Sequence, residues 1–131
     1  SAIQPSHAQS FSLLTNFSVQ GEVAEICAAT PDGRTVLYTD SDEQEIGLVD
    51  ISNPSSPVQI GDVDMPGEPT SVAVMPNGRF ALACVRDSNA LVVIELQYNR
   101  TRGVSSLVDA ETIATLPLSG QPDSIAISAD G

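Results

Sequence analysis

Three short turns recur along the chain at a spacing that suits a repeated sheet unit. They are Pro31-Asp32-Gly33, Pro76-Asn77-Gly78 and Ala129-Asp130-Gly131, and their glycines stand 45 and 53 residues apart. Eleven or twelve residues before each comes another glycine, in Gly21-Glu22, Gly67-Glu68 and Gly120-Gln121. Between the paired glycines lies an apolar alternation: Ile26 and Ala28, Val72 and Val74, Ile125 and Ile127. Period-two alternation marks a strand, and self-similarity at a fixed period marks a chain assembled from copies of one unit. The phasing continues past the turns without a gap. Arg34 to Ile51 lies over Arg79 to Leu96, which sets Leu37 on Leu82, Asp42 on Asp87, Ile46 on Leu91 and Asp50 on Glu95.

Each unit reads as four short strands, at about 23–30, 34–40, 46–51 and 58–64 in the first and about 70–75, 79–85, 90–96 and 111–118 in the second. The turn chemistry has a mechanism. Proline presets φ at the first turn position, Asp or Asn suits the second, and glycine supplies the left-handed residue that closes a tight hairpin. The eight extra residues of the second unit are expected in a polar loop between Gln97 and Ala110, because insertions are tolerated in loops. No segment carries a capped helical period, so the fold class is all-β. A four-stranded twisted sheet has two apolar faces and hides neither alone, whereas stacking such sheets about an axis hides both. The expected architecture is therefore a β-propeller, present as about two complete blades plus flanking strands.

The stretch Gly67-Glu-Pro-Thr-Ser-Val-Ala-Val-Met-Pro-Asn-Gly-Arg-Phe-Ala-Leu-Ala-Cys-Val-Arg-Asp-Ser-Asn-Ala-Leu-Val-Val-Ile-Glu-Leu96 resembles a YVTN-type repeat of surface-layer and lactonase-like propellers. Leu48-Val-Asp-Ile-Ser-Asn-Pro-Ser-Ser-Pro-Val-Gln-Ile-Gly61 resembles the related LVIVD repeat of secreted and surface proteins. The resemblance spans about residues 13–131. It implies a propeller, and it leaves function open because such blades occur in enzymes and in non-catalytic domains alike. With no Trp in the chain, the Trp-Asp pair of WD40 blades and the Trp-rich motif of quinoprotein propellers are absent.

The expected organisation is a polar N-terminal segment, 1–12, then a partial propeller, 13–131. Within it, 13–19 is a closing outer strand, 20–65 the first blade, 66–118 the second, and 119–131 the first strand of a third. Two blades do not close a ring, so the chain is expected to be an N-terminal fragment whose remaining blades come from the same parent chain, or from other copies. Ser6-His-Ala8 fits the small-residue pattern before a signal-peptidase cut. With the surface-protein resemblance, this gives an extracellular or periplasmic expectation.

Composition narrows the partners. Seventeen acids oppose five arginines, for a net charge of −12 and a pI near 4.1. Repulsion from a phosphate backbone argues against nucleic acid. No apolar run reaches the length of a spanning helix, so no membrane insertion is expected. His7 is the single histidine, which disfavours His-based metal sites and Ser-His-Asp chemistry within this segment. Cys27 and Cys84 fit no metal-ligand spacing and read as two small buried thiols rather than as one disulfide.

Ligand sites of propellers usually lie where blade-to-blade loops meet the loops between second and third strands, around the central channel. Here those are Gln20–Glu22, Pro66–Pro69 and Ser119–Asp123, together with Asp40–Glu45 and Arg86–Asn89. Candidate ligand-binding residues are Glu22, Glu68, Gln121 and Asp123, for a protein or a small polar ligand at the channel face. The alternating acids Asp40, Asp42 and Glu45 are candidate Ca²⁺ ligands, since hard cations take several oxygen ligands. Turn solvation and self-capping explain the same composition, and Asp42 and Asp87 are expected to stabilise the loops they occupy. Arg34 and Arg79 follow the hairpin glycine in both units and read as structural, through pairing with Asp32 or cover of a strand edge. No nucleophile–base pair is visible. The favoured function is a non-catalytic exported or surface-associated binding scaffold. The alternative is a metal-dependent hydrolase of the lactonase or phytase-like propeller type, using channel-facing carboxylates to activate water.

Overall fold

The computed structural model describes residues 9–131, and it places eight strands in two antiparallel sheets of four. The first sheet holds β1 (Ala24–Ala29), β2 (Thr35–Asp40), β3 (Glu45–Asp50) and β4 (Val58–Asp64) in sequence order. The second holds β5 (Pro69–Val74), β6 (Phe80–Val85), β7 (Ala90–Thr101) and β8 (Val104–Pro117) in the same order. The two meanders share one register: Leu37 pairs with Leu48 in the first and Leu82 with Val93 in the second. The described residues contain no helix. His7, Ser6-His-Ala8 and most of segment 1–12 lie outside the described residues.

The Pro-Asp-Gly and Pro-Asn-Gly turns close β1–β2 and β5–β6 as their chemistry demands. Gly33 and Gly78 hold φ of 69° and 70°, a region costly for a side-chain-bearing residue. Asp32 Oδ1 accepts the Arg34 backbone N–H at 3.0 Å, and Asn77 Oδ1 accepts that of Arg79 at 2.9 Å. The turn therefore needs a short side chain with an acceptor oxygen, which both residues supply. Arg34 meets Asp32 through its backbone, and the Arg79 guanidinium lies 5.5 Å from the Phe80 ring centre.

The core forms where the sheets stack. Leu37, Ile46, Leu48, Val63 and Met65 of the first unit pack against Val72, Ala81, Ala83, Val85, Val92 and Ile94 of the second. Each fully buried Leu or Ile contributes roughly 1.5–3 kcal/mol relative to an exposed one. The sheets approach each other most closely where β5 runs beside β1 and β2.

Three expectations change. The polar stretch from Gln97 to Ala110 is not a loop: β7 and β8 run on as strands of 12 and 14 residues, from Ala90↔Pro117 out to Thr101↔Val104. Arg102 and Gly103 turn the hairpin with φ of 52° and 81°, as a two-residue hairpin turn requires. Leu107 is buried in the shared core, so the extension is fastened by packing. Second, residues 13–19 and 119–131 form no ladder, because no neighbouring strand takes up their backbone groups. Residues 122–125 instead lie along the second sheet: the Thr70 hydroxyl donates to Pro122 O at 2.8 Å, and the Ile125 N–H donates to Ser71 Oγ at 3.3 Å. Third, both cysteines are free, but only Cys84 is buried. Cys27 pairs with Tyr38 in the ladder, which turns it to the sheet face that the second blade does not cover.

Candidate functional site

The loops leading out of β2 and β6 meet those leading out of β4 and β8 at one end of the sheets, joined by backbone bonds. The Met65 N–H donates to Gln44 O at 2.8 Å, the Arg86 N–H to Glu68 O at 3.0 Å, and the Leu118 N–H to Asn89 O at 2.7 Å. In each blade an aspartate also clasps the loop that enters the first strand. Asp40 accepts the N–H of Gly21 at 3.0 Å and that of Glu43 at 3.2 Å, while Asp87 accepts the N–H of Glu68 at 3.1 Å. Gly21 is required by this closeness, because a Cβ there would overlap the Asp40 carboxylate.

The candidate ligand residues are distributed around this end. Glu22 is exposed, with a left-handed φ of 60°, and lines a cleft of about 340 Å³ with Phe17, Ser18, Val19 and Ala24. Glu68 is half-buried and ion-paired with Arg86, the one ion pair among the described residues. Gln121 and Asp123 are exposed on the segment beside β5. The four therefore occupy one end without converging on a single point. A second cleft, of about 290 Å³, lies at the opposite end between Pro31, Gly78, Arg79 and Tyr98. It belongs to the hairpin-turn end, and its rim is set by the Tyr98 hydroxyl donating to Gly78 O at 2.7 Å.

The candidate metal residues separate. Asp42 is exposed and Asp40 is fully buried, with its oxygens engaged by backbone amides. Glu45 instead joins two residues that the sequence reading passed over. Carboxylate oxygens of Glu45, Asp62 and Asp64 all lie within 4.8 Å of one another. The ladders explain the meeting: Asp40 pairs with Glu45 and Glu45 with Asp64, while Tyr38 pairs with Gly47 and Gly47 with Asp62. Paired residues share a sheet face, as do residues two apart. One face of the first sheet therefore carries four carboxylates and a phenol. A visible signal was the alternation Gly61-Asp62-Val63-Asp64-Met65, with acids on one side of a strand and apolar residues on the other.

This face is electrostatically unbalanced. Burial raises the Glu45 pKa, and Asp62, Asp40, Glu43 and Asp64 raise it further. Burial likewise raises that of Tyr38, with Glu45, Asp40 and Asp62 adding to the shift. Glu45 Oε1 and the Tyr38 hydroxyl are both buried without a hydrogen-bond partner. Gly47 makes the arrangement possible, since the Tyr38 ring occupies the space a Cβ would take.

Stacked four-stranded meanders with an inner-to-outer strand order define a class: these are adjoining blades of a repeat β-propeller. More particularly, the first blade carries an LVIVD repeat, matched over residues 41–65. Among solved structures, the chain is similar to hydrazine synthase of Kuenenia stuttgartiensis, with a TM-score of 0.68 and 22% identity over 93% of this chain and 31% of that one. It is also similar to a Bacteroides fragilis protein described as a 6-phosphogluconolactonase, with a TM-score of 0.62 and 14% identity over 82% of this chain and 29% of that one. A Bacteroides uniformis protein of the same description gives a TM-score of 0.56 and 19% identity over 72% of this chain and 26% of that one. The chain thus spans less than a third of each, and these likenesses establish the fold. No curated protein matches the chain.

Proposed function

We propose that these blades belong to a non-catalytic, exported or surface-associated propeller that binds a protein or small polar ligand at its loop-bearing end. One observation carries this reading: in both blades an aspartate ties a blade-to-blade loop to the loop between second and third strands. Such clasps hold exposed polar groups in a fixed arrangement, and preorganisation lowers the ordering cost of binding. Glu22, Glu68, Gln121 and Asp123 are the residues on offer, and the exposed carboxylates of Glu22 and Asp123 favour a basic peptide.

The test is an amide-resolved titration with a set of Arg-rich peptides at physiological salt. Saturable shifts confined to residues 20–22, 66–68 and 119–123, and lost on Asp87→Ala, support the reading. Shifts confined to the Pro31–Tyr98 cleft overturn it. The alternative reading, a metal-dependent hydrolase as in lactonase or phytase-like propellers, is checked with lactones, phosphate esters and carboxyl esters in the presence of Ca²⁺ or Mg²⁺. Turnover abolished by Glu22→Gln and Glu68→Gln would install that alternative in place of the scaffold.

A further inference from the structure

We propose that Glu45, Asp62 and Asp64 form a Ca²⁺ site at the loop-bearing end of the first blade, walled by Tyr38. This goes beyond the scaffold reading and does not depend on it. Three carboxylates with oxygens within 4.8 Å of one another fit the reach of one oxygen-ligated cation. Proximity among acids alone proves little, because exposed carboxylates often crowd.

The independent observation is the polar surface buried with them. Tyr38 is only 4% exposed, and its hydroxyl has no partner although it stands beside Glu45 and Asp62. Glu45 is 8% exposed, and its Oε1 also lacks a partner. Buried polar atoms are nearly always satisfied, so an orphaned carboxylate oxygen and an orphaned phenol at one spot call for a missing group. A cation answers the surplus best, because the charged groups acting on Glu45 are acids. It must also accept several oxygens at once.

Calcium suits the donor set better than its competitors do. The ligands come from adjacent strands and include side chains of two lengths, which gives an irregular shell. Ca²⁺ tolerates six to eight oxygens in flexible geometry, whereas Mg²⁺ demands a near-ideal octahedron and keeps its waters. Zn²⁺ prefers nitrogen and sulfur ligands, and this set has neither. Asp40, held by the Gly21 and Glu43 amides, adds negative charge beside the site without serving as a ligand. Water and backbone carbonyls would complete the shell.

The chain's own tyrosines supply the readout. It contains two tyrosines and no Trp, so Tb³⁺ bound in place of Ca²⁺ at this site takes its excitation energy from Tyr38. The full chain titrated with Tb³⁺ should show tyrosine-sensitised luminescence that Ca²⁺ displaces and Mg²⁺ displaces poorly. Tyr38→Phe should abolish the sensitisation but keep the heat of Ca²⁺ binding in calorimetry. Tyr98→Phe should leave both intact. Asp62→Asn with Asp64→Asn alters exposed side chains, and it should weaken Ca²⁺ by about tenfold or more while preserving the far-ultraviolet spectrum. Absence of both luminescence and Ca²⁺ heat in the parent chain overturns the proposal. So does Ca²⁺ binding of unchanged affinity in the doubly substituted chain, or sensitisation that follows Tyr98. Peptide binding at the loops is measured separately, so either idea fails without the other.

Discussion

At the scale of single residues, Asp40 and Asp87 do the same job from non-equivalent repeat positions. The strands of the two blades align at an offset of 45, which sets Asp42 on Asp87. Yet Asp40, not Asp42, clasps the first blade's loop. The expectation that Asp42 and Asp87 stabilise the loops they occupy does not foresee this clasp to the entering loop, because side-chain reach, not alignment, decides which carboxylate arrives. The two clasps differ in cost. Asp40 is fully buried and accepts two part-buried amides, so Asp40→Ala removes two charge-assisted bonds and should cost about 3 kcal/mol. Asp87 is exposed and accepts one, so Asp87→Ala should cost about 1 kcal/mol. Urea midpoints for the two variants check the order, and equal losses would contradict it. Gln44 and Asn89 occupy matching positions with φ of 56° and 48°. Asn tolerates that conformation better than Gln, so Gln44→Asn should raise stability by roughly 0.5–1 kcal/mol in the same assay.

At the scale of elements, legibility followed periodicity. Strand positions in the two aligned units were readable to within a residue or two, because tight-turn residues bracket short apolar runs. The β7–β8 extension was not, since Gln97-Tyr-Asn-Arg-Thr101 is mostly polar and looks like a loop. Its strand character comes from cross-strand pairing closed by Arg102-Gly103, and from Leu107 reaching the shared core. The acidic cluster was half legible for a related reason. Glu45 was visible beside a loop, but Asp62 and Asp64 reach it only through the register of β3 and β4. Tyr98 anchors the extended hairpin to the Pro76–Gly78 turn through Gly78 O. Burial, with Asp32 nearby, raises its pKa above the ordinary 10.0. The folded chain therefore holds that proton more tightly than the unfolded chain, and the resulting stability is complete below pH 10. It is lost as pH rises through the folded value. Tyr98→Phe should cost about 1 kcal/mol at neutral pH and leave a shallower alkaline decline, with Tyr38 and the buried Cys84 thiol, both also raised by burial, responsible for the remainder. Alkaline thermal melts of both chains decide this, and parallel declines would show that Tyr98 contributes nothing to the pH dependence.

At the scale of the whole molecule, the net charge of −12 is carried with a single ion pair among the described residues. Much of the repulsion is therefore long-range and open to screening, while the Glu45 cluster is not. Raising salt from about 0.02 M to about 0.15 M shrinks the Debye length to about 8 Å, which weakens interactions between dispersed surface carboxylates. That length still exceeds the 4.8 Å that bounds the cluster, and burial of Glu45 shields it further from salt. The two contributions should consequently separate in calcium-free buffer. The parent chain should melt at higher temperature as salt rises. Asp62→Asn with Asp64→Asn should melt above the parent at every salt concentration, because Asp62 and Asp64 no longer repel Glu45, leaving only Asp40 and Glu43. The gap between the two chains should persist across this range, whereas the rise with salt is common to both. Curves that converge by 0.15 M salt would mean that the cluster behaves as ordinary surface charge. A flat response in both chains would mean instead that self-repulsion does not limit the stability of these blades.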